Sequence, residues 1–542
     1  MNRSSLKREL RLIDLVMASL GGIIGSGWLF GALYSANVAG PAAILSWVLG
    51  GVAVILIGLI FAELTGMLPE SGGVARYPHY SHGHLTSFIM GWAVWIGYAA
   101  SPAIQAEAMV QYSAHYFPGL FNTHTNTIQP TGLLIAAVLM LAFFLINYLG
   151  VRSFARVNTP LTLIKFIMPT LTIVVFLMTG LHWHNVTAEH FAPYGSAGVL
   201  QAIATSGIIF SYLGFRQAVD LAGEAKNPHR DVPRAIMLSI GIGIVLYSLL
   251  QVVFIAAVPP SALSHGWAKL SMAAPFAQLA VGLNLGWLTS LLYADAIVSP
   301  TGTGNVYLAS TTRVLYAMAQ NGYLPKSLAK VDAKTGIPLA SLVLALILGL
   351  LFLAPFPAWN QLVGVISSAT VITYIMGPVS AAVFRRTAPG ARRYYRVPAL
   401  HVVAPIAFVI GSWIIYWTGW AVDWKLLVAM LVGVVLYALF AAMLPGQIER
   451  PSIKSVKSGI WLVVYLIGML GMSYAGSHRF GSPYNRHKGL IHFPYDLIVS
   501  ALMALVFYYW GVASGYPTAH LEEALNSNER ETTEGQPDVL LP

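Results

Sequence analysis

The feature that most constrains this chain is a recurring run of about 20 apolar residues, the length a helix needs to cross a hydrocarbon core. Such runs lie at about 14–35, 42–66, 88–113, 131–150, 159–180, 199–222, 235–258, 284–318, 338–356, 363–384, 402–420, 425–444, 458–476 and 495–513. In lipid every backbone polar group needs an internal partner, and runs of this length select helices over barrel strands. The chain therefore reads as an all-α polytopic membrane protein with about 14 transmembrane helices. Charged residues make up only 9% of it, against about 25% in soluble proteins.

The net charge of +10 is explained by loops on the cytoplasmic side, which collect Lys and Arg, and not by nucleic acid. Arg3, Lys7, Arg8 and Arg11 place the N-terminus there. Arg152 and Arg156, then Lys226, Arg230 and Arg234, then Lys326, Lys330 and Lys334 fall on the same side. So do Arg385, Arg386, Arg392, Arg393 and Arg396, while the loops 114–130 and 181–198 hold no Lys or Arg. Arg479, Arg486 and Lys488 conflict with this layout, because their loop should be external. The basic start precedes a long span with no small-residue cleavage site, so it reads as a retained first span. The expected location is the inner (plasma) membrane, multi-pass, with both termini cytoplasmic.

The first span is interrupted. GGIIGSGWLFG, Gly21 to Gly31, carries Gly21, Gly22, Gly25 and Gly27, each costing a helix about 1 kcal/mol relative to alanine. Broken backbone at membrane depth is tolerated where it is buried in protein or lines a wet cavity. The freed N–H groups at the start of the next half-helix suit a carboxylate or phosphate. The sixth span has a second small, polar interruption at Ser211-Tyr212-Leu213-Gly214, flanked by Phe210 and Phe215. Paired interruptions in two halves are the mark of an inverted-repeat transporter with a midplane site. The expected organisation is residues 1–180 as a first repeat, 199–384 as a second, 402–513 as peripheral helices and 514–542 as a disordered cytoplasmic tail.

These residues carry a family resemblance. GGIIGSGWLF resembles the G-x-x-I-G-x-G-I-F signature of the amino acid–polyamine–organocation (APC) permeases, and FSYLGF, GEAKNPHRDVPRAI and RVLYAMAQNGYLPKSLAKVDAKTGIP follow in the family's order. The layout, with Arg216 after Gly214-Phe215, looks most like the bacterial aspartate–proton symporter branch. The resemblance implies a LeuT-like five-plus-five inverted repeat with broken helices 1 and 6, working by alternating access. It implies that the amides of Ser26 and Gly27, with Gly25 opening the chain, hold a substrate α-carboxylate. Carbonyls near Ile23, Phe210 and Ser211 then accept from the ammonium, Phe210 serves as an aromatic gate, and Tyr98, Ser101 and Tyr307 line the side-chain pocket. Gly214 belongs to the second wall.

Ionisable groups at membrane depth are functional candidates by default. Lys165 has two readings, a snorkelling lysine or a desolvated ammonium that exchanges its proton near neutrality. The resemblance favours the second, with the ammonium standing in for a sodium ion between spans one, five and eight, held by Thr301 or Thr303 in the helix-breaking stretch Ser299–Gly304. Arg216 stands where most members have Glu. It either grips a second substrate carboxylate with parallel bonds or pairs internally with Asp220, one turn on, Glu107 or Asp295. Glu107 is a further proton-coupling candidate, though its place near the outer end of span three favours a wetted vestibule residue.

The expected function is secondary active import of an amino acid by proton symport, with acidic amino acids such as aspartate favoured. An exchanger, or a symporter for neutral amino acids, is the alternative. A membrane enzyme is disfavoured: Gly25-x-Gly27-x-x-x-Gly31 lacks the strand and βαβ unit of a dinucleotide site, and no Walker lysine or His-Glu-x-x-His pair occurs. A channel would need a repeated carbonyl filter. No cofactor or metal is called for. The chain has no cysteine, and His79, His82 and His84 read as part of a solvated loop because no carboxylate sits at ligand spacing. His182, His184 and His190 read likewise, and Asn185-Val186-Thr187 is a glycosylation sequon. The expected partners are the substrate, protons and the bilayer, not nucleic acid; oligomeric state is left open.

Overall fold

A computed structural model describes residues 10–69, 73–123, 125–149, 151–187, 191–332, 335–353, 358–444, 448, 451–483 and 489–534. Arg3, Lys7, Arg8, His190, Lys334, Arg486 and Lys488 lie outside them, as do the side chains of Arg152 and Arg156. The helices run in order α1 (Leu12–Ile23), α2 (Ser26–Ala39), α3 (Ala43–Met67), α4 (Gly73–His82), α5 (His84–Ser113), α6 (Pro130–Tyr148) and α7 (Val151–Leu177). Next come α8 (His184–Thr187), α9 (Gly195–Thr205), α10 (Ile208–Tyr212), α11 (Arg216–Asp220), α12 (Pro228–Ala257), α13 (Pro275–Gly282) and α14 (Gly286–Gln320). The rest are α15 (Leu339–Leu353), α16 (Trp359–Tyr374), α17 (Met376–Thr387), α18 (Leu400–Thr418), α19 (Trp420–Met443), α20 (Ile453–Ala475), α21 (Tyr495–Ser514) and α22 (Ala519–Glu534). One two-residue pair, Phe121–Asn122 against Thr127–Ile128, closes the turn before α6. Helix starts follow local chemistry: Pro130 and Pro228 sit in the first turns of α6 and α12, where an N–H is surplus, and Ser452 caps α20 by accepting from Ser455 N–H.

Nine helices among the described residues are long and apolar enough to cross a membrane, or ten if a bent pair counts as one span. The chain is thus a predominantly helical, multi-span protein. α5 and the α16–α17 run are enclosed, and α14 packs against α5 and α7 while α3 packs against α12. The outer helices present Leu134, Val138 and Leu145 of α6 and Leu502 and Val506 of α21, large apolar groups that hydrocarbon accommodates.

Two breaks organise the interior. α1 ends at Ile23; Ile24 is extended (φ −89°, ψ 96°) and Gly25 opens α2. The second break is earlier than the expected Phe210–Phe215. α9 stops at Thr205, and Gly207 takes φ +89°, a left-handed conformation that only glycine adopts cheaply. The segments on either side meet at 47°. Ser211 and Tyr212 stay helical in α10, and Leu213–Phe215 tighten into one 3₁₀ turn. The interrupted walls meet backbone to backbone: a Cβ on Gly22 would lie 3.0 Å from Gly214 Cα, and one on Gly214 would overlap Ile23 N and Gly22 C.

Four further expectations change. Ser299–Gly304 does not break its helix; α14 is continuous through Pro300. Nearby hydroxyls bond back to the helix, Thr301 Oγ1 to Ile297 O (2.7 Å) and Thr303 Oγ1 to Ser299 O (3.3 Å), as membrane helices accommodate proline. The polar loop after α3 is a packed helix, α4, whose Tyr77 and His82 are buried; His82 Nε2 lies 2.9 Å from Gly511 O on α21. In place of a disordered tail over 514–542, Ala519–Glu534 form α22, with Leu521 and Ala524 buried and Thr518 Oγ1 donating to Tyr80 O; residues 535–542 lie outside the described set. The Asn185 amide donates to Ile255 O and Val258 O and is buried, which removes it as a glycan acceptor in this state.

Arg479, the misplaced positive charge of the sequence layout, ties chain segments together: its guanidinium donates to Gln201 Oε1, Tyr194 O and Val38 O. Arg385 grips buried Glu63 with two 2.7 Å bonds, and Val397 N–H completes that carboxylate's shell.

The Gly22–Gly214 contact is testable. Gly214→Ala is expected to lower the thermal midpoint of the purified chain in detergent, reflecting a cost of about 1–3 kcal/mol or more from overpacking. Gly241→Ala, where an added Cβ meets nothing within 4 Å, leaves the midpoint unchanged or slightly raised. Equal midpoints for the two variants would contradict the close approach.

Candidate functional site

The site forms around the first break. Ser26 N–H, expected to face a substrate carboxylate, donates to Gln105 Oε1 at 3.1 Å. The carboxamide oxygen of Gln105 thus occupies the kind of position a carboxylate oxygen would take at this helix start. Gln105 is buried, and its Nε2 has no hydrogen-bond partner among the described residues. Ser26 Oγ accepts from Trp359 Nε1–H at 2.9 Å. Gly27 faces Ser211, since a Cβ there would overlap Ser211 Oγ. Ile23 O already accepts from Tyr247 O–H (2.8 Å), and Phe210 O accepts from Leu213 N–H.

Aromatic rings close this region on one side. Trp359 touches Phe30 (centroids 5.3 Å apart), stacks on Tyr34 (5.4 Å) and meets Phe210 edge-on (6.0 Å). Beyond them a cavity of about 620 Å³ is lined by Tyr34, Thr205, Ser206 and Asn360. Phe210 therefore lies in an aromatic plug with Trp359, Tyr34 and Phe30. Trp359 is its centre and was invisible in the sequence, one of 14 tryptophans with no local motif to mark it. Gln105 likewise looks like any polar residue of an apolar helix.

Lys165 is buried, and it does not snorkel. Its Nζ donates to Gly21 O at 3.1 Å and to Thr303 Oγ1 at 2.6 Å. It thereby joins α7 to the last turn of α1 and to α14. Thr303 also borders the break, 2.9 Å from where a Gly25 Cβ would stand. Of the two hydroxyls open in the sequence, Thr303 is the partner; Thr301 bonds its own helix.

Arg216 pairs internally. Its Nε lies 3.3 Å from Asp220 Oδ2, and its guanidinium carbon sits 4.7 Å from the Tyr98 ring centre. Tyr98 O–H donates to the same Asp220 oxygen at 3.1 Å, and Tyr307 packs edge-on against Tyr98 at 5.2 Å. Arg216 Nη1 has no hydrogen-bond partner among the described residues. Tyr98, Tyr307 and Arg216 thus form one group. Ser101 does not present its hydroxyl to it: Ser101 Oγ donates to Gly97 O within α5. Gly214 serves the packing of the two walls. Glu107 is not a wetted vestibule residue. It is fully buried, and neither carboxyl oxygen has a hydrogen-bond partner among the described residues. Asp295 is also buried and accepts from Ser299 O–H (3.1 Å).

The Arg216–Asp220 pair yields a double-mutant test. Arg216→Met strands a mostly buried carboxylate, at a cost on the order of 3 kcal/mol in unfolding free energy. Adding Asp220→Asn recovers part of that loss, so the double variant is more stable than the sum of the singles requires. Strict additivity in detergent melts would show that the pair is not coupled.

A sequence profile described as amino acid permease matches residues 10–471. The glutamate/serine transporter AimA of Bacillus subtilis (strain 168) is 41% identical over 535 residues, covering 97% of each chain. The aspartate-proton symporter of the same organism is 38% identical over 523 residues, 96% of this chain and 99% of the relative. The branched-chain amino acid permease BcaP, also from that organism, is 26% identical over 81% of this chain and 94% of its own. A polytopic helical chain with two broken spans meeting at glycines, matched over nearly its full length, belongs to the amino acid permease family and is a multi-pass membrane transporter, not an enzyme.

Proposed function

We propose that this chain imports an amino acid across the plasma membrane by proton symport, and that Lys165 carries the coupling. The observation that carries this is the buried Lys165 ammonium, bonded to Gly21 O of the broken helix and to Thr303 Oγ1 of α14. A cation there helps hold α1 against α14 and α7, and loss of its proton weakens that link. Proton release is thereby tied to movement of α1, which leads through Ile24 and Gly25 into the α2 amides that would bind the carboxylate. The reading takes α1–α21 as 14 spans in a five-plus-five inverted repeat with four further helices, termini in the cytoplasm. The two breaks and the Lys and Arg distribution support it.

On this reading the substrate α-carboxylate displaces Gln105 Oε1 from Ser26 N–H and takes up the Gly27 N–H, with Gly25 giving the chain its turn. Carbonyls near Ile23, Phe210 and Ser211 receive the ammonium after Tyr247 and the α10 turn adjust. The plug of Phe210, Tyr34 and Trp359 gates access from the 620 Å³ cavity, and Tyr98, Ser101 and Tyr307 bound the side-chain space. Glu107, buried with no hydrogen-bond partner among the described residues, is a second candidate proton carrier.

Acidic substrates are favoured by Arg216, whose Nη1 keeps donors for a second carboxylate. The names of two relatives, a glutamate/serine transporter and an aspartate-proton symporter, support amino acids of this size. A second reading, symport or exchange of neutral amino acids, rests on Asp220, which already engages Arg216 at 3.3 Å.

Proteoliposome uptake with an imposed pH gradient separates these. Wild type is expected to accumulate labelled aspartate or glutamate when the outside is acidic, and a protonophore abolishes accumulation. Lys165→Ala loses the gradient response while retaining substrate binding by scintillation proximity; an unchanged gradient response in that variant removes the coupling role. Displacement of aspartate by serine or alanine as effective as by aspartate itself ends the acidic preference. Uptake that requires internal amino acid and ignores the protonophore identifies an exchanger.

A further inference from the structure

The histidines after α3 are not all part of a solvated loop. His82 is buried against α21, but His79 at the end of α4, His84 at the start of α5 and His520 on α22 converge. One ring nitrogen from each lies within 4.8 Å of the other two. The ring centres of His79 and His520 are 4.6 Å apart, and those of His79 and His84 are 4.9 Å apart. They border a cavity of about 510 Å³ shared with Arg76, Lys326 and Glu523.

We propose that His79, His84 and His520 bind one divalent transition-metal ion of the zinc type, fastening α22 to the α4–α5 corner. Neutral imidazole is the commonest protein ligand for such ions, and three imidazoles with one further oxygen make a tetrahedral set. Ligating nitrogens around zinc, at about 2.0–2.1 Å from it, sit roughly 3.3 Å from one another. Side-chain rotation closes the gap from 4.8 Å, because His79 and His84 are only half-buried and His520 is exposed. His79 Nδ1 lies 3.1 Å from Tyr323 Oη. A proton on Nδ1 donated to that oxygen leaves the Nε2 lone pair for the metal, the usual outer-sphere support of a ligating histidine. Glu523 Oε2, 3.8 Å from His520 Nδ1, is one turn away on α22 and supplies negative charge and a fourth ligand. That charge offsets Arg76 and Lys326, which otherwise oppose a cation. Sequence spacing hid the site because its third ligand and its carboxylate come from the far end of the chain.

The test uses the purified full-length chain in detergent with any affinity tag removed, titrated with zinc against a chromophoric chelator. One equivalent is expected to bind to wild type. His84→Ala and His520→Ala each weaken binding more than tenfold, and His265→Ala, at an exposed site elsewhere, leaves it unchanged. Hydrogen exchange gives the second readout: zinc slows exchange across 519–526 in wild type and fails to do so in His84→Ala, although His84 is on another helix. Wild-type affinity in both ligand variants overturns the proposal, as does exchange in α22 that zinc does not alter. Protection of α22 by inorganic phosphate but not by zinc also overturns it and makes the cavity an anion site. Neither readout depends on transport, so the result is independent of the proton-coupling reading.

Discussion

The contact of Gly22 with Gly214 is the constraint from which the rest of the site follows. Two interrupted helices can bring their backbones together only where neither carries a side chain, and a Cβ at Gly214 would overlap Ile23 N and Gly22 C. Because the walls touch there, the start of α2 points its amides into the space beside Gln105 and Trp359. The end of α1 turns its Gly21 carbonyl to Lys165. On the other side of the contact, Arg216 is carried to the Tyr98 face of α5. One backbone approach thereby sets the positions of the α2 helix start, the buried ammonium and the guanidinium.

Low dielectric explains which polar groups surround that contact. A buried charge without a partner costs several kcal/mol, and most here are matched: Lys165 with a carbonyl and a hydroxyl, Arg216 with Asp220, Glu63 with Arg385 and Val397 N–H. Far from the breaks, Asp423 accepts from Ser473 and Asp496 from Tyr416, the ordinary way a membrane protein holds buried acids. Glu107 and the Nε2 of Gln105, both on α5, depart from this pattern, and Gln105 is the one that meets the start of α2. The Gln105 oxygen satisfies the Ser26 N–H at the helix start.

Legibility in the sequence tracked how local the physics was. Apolar runs of bilayer length and the glycine cluster at 21–27 are visible because each is a property of a short segment. Lys165 was recognisable because a lysine two turns into an apolar span has few neutral explanations, and its choice between Thr301 and Thr303 was not, since both lie on one helix within half a turn of each other. The second break lies at Thr205-Ser206-Gly207, where the glycine takes φ +89°, and not at the more polar Ser211–Gly214, which stays wound. Pro300 looks like a helix breaker in the sequence, yet hydroxyl back-bonding keeps α14 intact.

Helicity, many membrane crossings and two places where the helices cannot run straight are readable from the residues alone, because solvation and backbone sterics act residue by residue. Only the tertiary structure decided which partners those residues meet: Gln105 for the Ser26 amide, Asp220 for Arg216, Thr303 for Lys165, Trp359 at the plug, and His520 beside His79 and His84. Such pairings join segments tens to hundreds of positions apart. Many arrangements share the same hydropathy profile, and packing at close range in a low-dielectric interior selects the one in which nearly every buried charge finds its match.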